Sequence, residues 1–65
     1  MKLKVNAEEK QVSAATLAAL CRELGYPEQG VATAVNGEFV PRQQRDNQPL
    51  RDGDAVEILA PMQGG

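Results

Sequence analysis

The clearest periodic signal in this chain is one helical stripe, and it limits what the rest can build. Leu17, Leu20, Cys21 and Leu24 fall at i, i+3, i+4 and i+7, while Arg22 and Glu23 lie off that face. Ser13 or Thr16 can supply the N-cap oxygen, with Thr16 favoured and Ala14-Ala15 in an entry turn. Gly25 stands where a C′ residue is expected, and Pro27 stops any continuation. A chain of 65 residues is one domain at most. It has material for one layer of sheet against this helix, and no room for a cofactor cavity beside the core.

The flanking segments read as strands. Leu3 and Val5 alternate with Lys2, Lys4 and Asn6, the period of a half-buried strand. Asn6-Ala7-Glu8-Glu9 suits a turn, after which Lys10-Gln11-Val12 returns as a short second strand. Val31 to Val35 is a third strand. Asn36-Gly37 follows as a type I′ hairpin signal, and Glu38-Phe39-Val40 returns until Pro41 ends it. Arg42 to Pro49 is polar with room for one helical turn, and Leu50 is its core anchor. Asp52-Gly53-Asp54 turns into a last strand, Ala55 to Ala60, with Val56 and Ile58 facing one way and Glu57 and Leu59 the other.

The order β-β-α-β-β-β specifies an α+β domain. If the last strand lies parallel to the first, the right-handed crossover lays the helix across one face of a mixed four- to five-stranded sheet. With Val40, Val56 and Ile58 toward the helix, Phe39 and Leu59 face the open side, where an apolar cluster reads as a docking patch.

Composition removes several classes of chemistry. With no histidine and a single cysteine, neither zinc-ligand spacings nor a Cys-His pair can form, so no metal or cofactor residues are expected. Cys21 shares the helix stripe and reads as core. The net charge is −2, the lysines are dispersed, and only Tyr26 and Phe39 could stack on bases, which argues against nucleic acid. The first residues lack the apolar stretch of a signal peptide, and no run is long enough for a bilayer. A soluble, cytoplasmic protein is expected.

The end of the sequence is its chemical feature. Met62-Gln63-Gly64-Gly65 follows the apolar run Val56 to Pro61. Two residues without Cβ can thread a narrow channel and leave the terminal carbonyl unshielded. A carboxylate is a poor electrophile, but as a mixed anhydride with AMP it can be attacked by sulfide or an amine. Gly65 is therefore the expected reacting residue, with Gly64 beside it. Residues 1–61 form the expected domain and residues 62–65 a flexible arm.

Val35-Asn36-Gly37-Glu38-Phe39-Val40-Pro41-Arg42, Leu50-Arg51-Asp52-Gly53-Asp54, Val56-Glu57-Ile58 and the closing Gly64-Gly65 together resemble the ThiS-type sulfur carriers of thiamine biosynthesis. The likeness runs through the whole chain. It implies a ubiquitin-like β-grasp fold and a protein co-substrate rather than an enzyme. A ThiF-type adenylating enzyme would use ATP and magnesium to make an acyl-adenylate at Gly65. Sulfur from a cysteine desulfurase persulfide would displace AMP, and a ThiG-type thiazole synthase would accept it from the Gly65 thiocarboxylate. Phe39 and Leu59, with Met62 at the base of the arm, would contact these partners.

Three alternatives share the architecture. The small subunit of molybdopterin synthase also ends in Gly-Gly, but Val56 to Gly65 lacks the paired aromatic and proline run associated with it. A ubiquitin-like modifier would join the activated terminus to lysines, and an interaction module would never activate it. Gln43 to Asn47 matches no pattern of the family, and Arg42, Arg45 and Arg51 read either as rim charges or as solubilising surface.

Overall fold

The computed structural model describes residues 1–60. Its elements are β1 (Lys2–Val5), β2 (Glu8–Gln11), α1 (Leu17–Glu23), β3 (Ala32–Val35), β4 (Glu38–Val40), a 3-10 helix (Arg42–Asn47) and β5 (Ala55–Leu59). The five strands lie in the order β2-β1-β5-β3-β4. β1 and β5 run parallel, pairing Lys4 with Ala55 and Val5 with Val56, whereas the other neighbours are antiparallel. This is the mixed sheet gripping one helix expected of a ubiquitin-like β-grasp.

Side-chain alternation places the core between sheet and helix. Leu3, Val5, Val35, Val40, Val56 and Ile58 meet Leu17, Leu20 and Cys21, and Val12, Ala14 and Leu50 close the margins. The helix ends are satisfied locally. Ala19 N–H donates to Thr16 Oγ1 at 3.2 Å, which makes Thr16 the N-cap. Leu17 N–H is taken up by Gln48 O at 2.9 Å, tying the polar loop to the helix start. At the other end Gly25 N–H donates to Arg22 O and Tyr26 N–H to Cys21 O, the paired bonds of a Schellman motif. Gly25 adopts φ of +85°, as such a cap requires.

Two hairpins turn on two residues each. Asn36 and Gly37 have φ of 51° and 86°, and Asn6 and Ala7 have φ of 50° and 69°, the left-handed pair of a type I′ turn. The second case corrects the sequence reading. β2 spans Glu8–Gln11, not Lys10 to Val12, because the turn consumes only Asn6 and Ala7. Glu8, Glu9, Lys10 and Gln11 carry no apolar signal. As an edge strand they gain their place from main-chain pairing with β1 alone.

Smaller differences lie at other boundaries. β3 starts at Ala32 rather than Val31, and β5 ends at Leu59 rather than Ala60. The helical turn expected in the polar loop is the 3-10 helix. Arg45 differs in kind. It is neither a rim charge nor solubilising surface but is 5 % exposed. Its guanidinium donates to Thr33 Oγ1 (3.0 Å), Glu28 O (3.1 Å) and Val31 O (2.6 Å), so burial leaves it well partnered.

Candidate functional site

The open face of the sheet is set by the same alternation that fills the core. Phe39 on β4 and Leu59 on β5 stand away from the helix, 68 % and 66 % exposed. They are the large apolar residues left in solvent among the described residues. β3 lies between their strands, pairing Ala34 with both Phe39 and Glu57, and Ala32 with Leu59. Alanines at these two positions lower the floor between the two side chains. A shallow hollow of about 110 Å³ results, with Glu57 in its lining. Phe39 and Leu59 are thus brought to one face, as expected. The floor was legible as the alternating small residues Ala32 and Ala34, a signal that sequence reading passed over.

Met62, Gly64 and Gly65 lie outside the described residues, which reach Ala60. The strand that leads to them is described, and it is held from both sides. On the β3 side of β5 the ladder runs from Val35–Val56 to Ala32–Leu59. On the β1 side, main-chain pairing ends with Asn6 N–H donating to Val56 O at 2.9 Å. The carboxamide of Asn6 then takes over: Ile58 N–H donates to Oδ1 at 2.9 Å and Nδ2 donates to Ile58 O at 3.0 Å. At the start of the strand Asn36 acts similarly. Its N–H donates to Ala55 O at 2.7 Å and its Oδ1 accepts Ala55 N–H at 3.0 Å, while Nδ2 reaches Asp54 Oδ1 at 3.0 Å. Sequence reading assigned both asparagines to turns, which they form, and missed that each side chain grips β5. The signal was present in Asn at the first left-handed position of each turn, where the side chain can bond nearby backbone.

The Asp52-Gly53-Asp54 turn docks on β1. Lys2 N–H donates to Asp52 Oδ1 at 2.7 Å, Gly53 N–H to Lys2 O at 2.8 Å, and Lys4 N–H to Asp54 O at 3.0 Å. These bonds place the entry of β5 beside β1 and define its parallel register. They are structural, as the sequence suggested.

Cys21 is buried, and burial pushes its thiol above the ordinary value of 9.0, an effect that Arg45 and Arg22 only partly oppose. The group is a neutral thiol at pH 7, poorly suited to nucleophilic or persulfide chemistry. No cluster of His, Cys, Asp and Glu suited to a metal occurs among the described residues. No helix there is long and apolar enough to cross a membrane.

Comparison with known proteins gives a consistent result. Residues 3–65 match the ThiS family. The sulfur carrier protein ThiS of Thermus thermophilus is 39 % identical over 61 residues, covering 94 % of this chain and 95 % of that protein. A thiazole synthase of Paramagnetospirillum magneticum is 42 % identical over 66 residues, and this chain spans only 20 % of its length. The crystal structure of the thiamine biosynthesis protein ThiS from Geobacter metallireducens superposes with a TM-score of 0.82 at 35 % identity, both chains fully covered. A solution structure of a thiamine biosynthesis protein from the same organism gives 0.84 at 35 % identity, over all of this chain and 88 % of the other.

Proposed function

The chain belongs to the ThiS family, the sulfur carriers of thiamine biosynthesis, and on that premise we propose that its Gly65 carboxylate carries the sulfur. The observation that carries this reading is the extent of the family match, which runs through Gly64 to Gly65. As a carrier the protein is a co-substrate, and the acid-base and metal chemistry belongs to the enzymes that act on it.

A ThiF-type adenylating enzyme, using ATP and magnesium, joins the Gly65 carboxylate to AMP and releases pyrophosphate. The terminal sulfur of a persulfide, formed by a cysteine desulfurase, displaces AMP. Cleavage of the new S–S bond by a thiol leaves a thiocarboxylate on Gly65. That anion is a stable and nucleophilic store of sulfide for a ThiG-type thiazole synthase. The match to a thiazole synthase supports this acceptor. Phe39 and Leu59, with Met62 beyond them, dock the carrier on these partners while Gly64 and Gly65 enter the active site. The hollow between Phe39 and Leu59 supports that role, since it offers a partner side chain a complementary seat. The thiol that cleaves the S–S bond and the free Cys21 both suit the reducing conditions of the cytoplasm.

Intact-mass spectrometry tests the reading. The chain is incubated with ATP, magnesium, a sulfur source and a ThiF-type enzyme of demonstrated activity. The expected product gains the mass of replacing one oxygen by sulfur, mapped to Gly65. An unchanged mass with no AMP adduct overturns the assignment, and conjugates through lysine indicate a modifier instead.

A further inference from the structure

We propose that the hollow between Phe39 and Leu59 seats a basic side chain of the adenylating enzyme, with Glu57 as its counter-charge. The inference rests on the reading that this face docks the carrier, and it names what the partner brings to it.

Phe39 and Leu59 flank the hollow above Ala32 and Ala34, and Glu57 is the one charged residue in its lining. Glu57 shares the phase of Leu59 on β5, opposite to the buried Val56 and Ile58, so it stands exposed on the open face. No cation attends it. The one ion pair among the described residues is Lys10–Glu8, and residues 61–65 contain neither Lys nor Arg. Its cross-strand neighbour on β3 is Ala34. On the other side the register of β1 with β5 ends at Val5–Val56, one residue short of it. Lys4, on the same face, is level with Ala55 and stands opposite Glu9 of β2.

This combination selects its occupant. A wholly apolar side chain would suit Phe39 and Leu59 but would strip water from Glu57 and return nothing, which is costly for a charge. An acidic side chain would meet a like charge. Lysine and arginine join an apolar stem to a cationic head. The stem can lie between Phe39 and Leu59 while the head pairs with Glu57, and the ring face of Phe39 adds attraction for the cation. Pairing of opposite charges across an interface fixes register and suppresses wrong partners. Glu57 thereby makes selective a patch that the two apolar residues alone would leave merely adhesive.

The test titrates the full chain against a ThiF-type adenylating enzyme at ~0.05 M and ~0.5 M salt. Glu57→Gln keeps the size of the side chain and removes its charge, at an exposed position where the fold does not depend on it. Binding at low salt is expected to weaken about tenfold, and the gap to wild type to narrow to about threefold or less at high salt. Glu57→Lys, which sets like charges together, is expected to lose at least about thirtyfold at low salt. Glu9→Gln makes the same change of net charge on β2, outside the hollow, and is expected to stay within about twofold of wild type. Unchanged affinity in Glu57→Gln, a loss that salt does not narrow, an equal loss in Glu9→Gln, or tighter binding by Glu57→Lys each overturns the proposal. If the paired Phe39→Ala and Leu59→Ala substitution weakens binding and Glu57→Gln does not, the docking reading stands and the basic occupant is lost. If that pair leaves affinity unchanged, the docking reading itself fails, and the proposal with it.

Discussion

Arg45 Nε donates to Thr33 Oγ1 at 3.0 Å in the interior of the protein, and the Thr33 hydroxyl in turn donates to Val40 O at 2.7 Å. No carboxylate pairs with this guanidinium among the described residues, where the one ion pair is the exposed Lys10–Glu8 contact. Oxygen dipoles take the place of a counter-ion: a hydroxyl and the carbonyls of Glu28 and Val31. One side chain thereby ties the 3-10 helix to β3, to the end of β4, and to the loop between α1 and β3.

Removing that cation leaves the buried Thr33 hydroxyl and the partly buried carbonyls of Glu28 and Val31 short of a donor. Arg45→Leu is expected to lower unfolding stability by about 2–3 kcal/mol, the cost of unsatisfied buried polar groups and a lost charge-assisted bond. Arg45→Lys should lie between this variant and wild type, because an ammonium cannot reproduce the planar fork. Urea denaturation with unchanged m-values checks both.

Ala7 has φ of 69°, a conformation that penalises a residue with Cβ. Ala7→Gly relieves about 1–2 kcal/mol of strain and adds about 0.4–1 kcal/mol of unfolded-state entropy. A net gain of about 0.5–1 kcal/mol is expected. It reads out as a rise of a few degrees in Tm.

Phe39 and Leu59 contribute little to the folded state because both stand in solvent. Phe39→Ala and Leu59→Ala should each change stability by less than about 0.5 kcal/mol. Titration of the carrier against its adenylating enzyme should show at least about tenfold weaker binding for the pair of substitutions, if these side chains fill partner pockets. Loss of stability without loss of affinity would contradict the docking role.

Cys21 predicts an alkaline limit. Its folded pKa is raised by burial, so the unfolded chain releases the proton first as pH rises. The stabilisation is fully present below 9.0, the unfolded value, and is lost as pH climbs from there through the raised folded value. Cys21→Val should flatten that part of the stability–pH curve. Alkylation of native Cys21 at pH 7 should be slow and should accelerate on adding denaturant.

The elements that sequence revealed are those whose pattern and packing agree. The helix stripe of Leu17, Leu20 and Cys21 is buried, Val56 and Ile58 alternate correctly, and Asn36-Gly37 turns as its φ demands. The open face was legible for the same reason, since Phe39 and Leu59 occupy the phase opposite to Val40 and Ile58. β2 was displaced because Glu8 to Gln11 hold their place by backbone pairing, which leaves no trace in hydropathy. Arg45 was misjudged because a polar loop does not disclose that carbonyls elsewhere in the chain converge on it. The grip of Asn6 on Ile58 spans nearly the whole sequence, and no local window could reveal it.

The two margins of the sheet have a consequence for how one copy of the chain meets another. β4 is three residues long, and Pro41 follows it directly. β2 is Glu-Glu-Lys-Gln, with charged side chains along its length. A short edge and a charged edge are both poor templates for a further strand. Self-association by strand addition is therefore disfavoured at each margin.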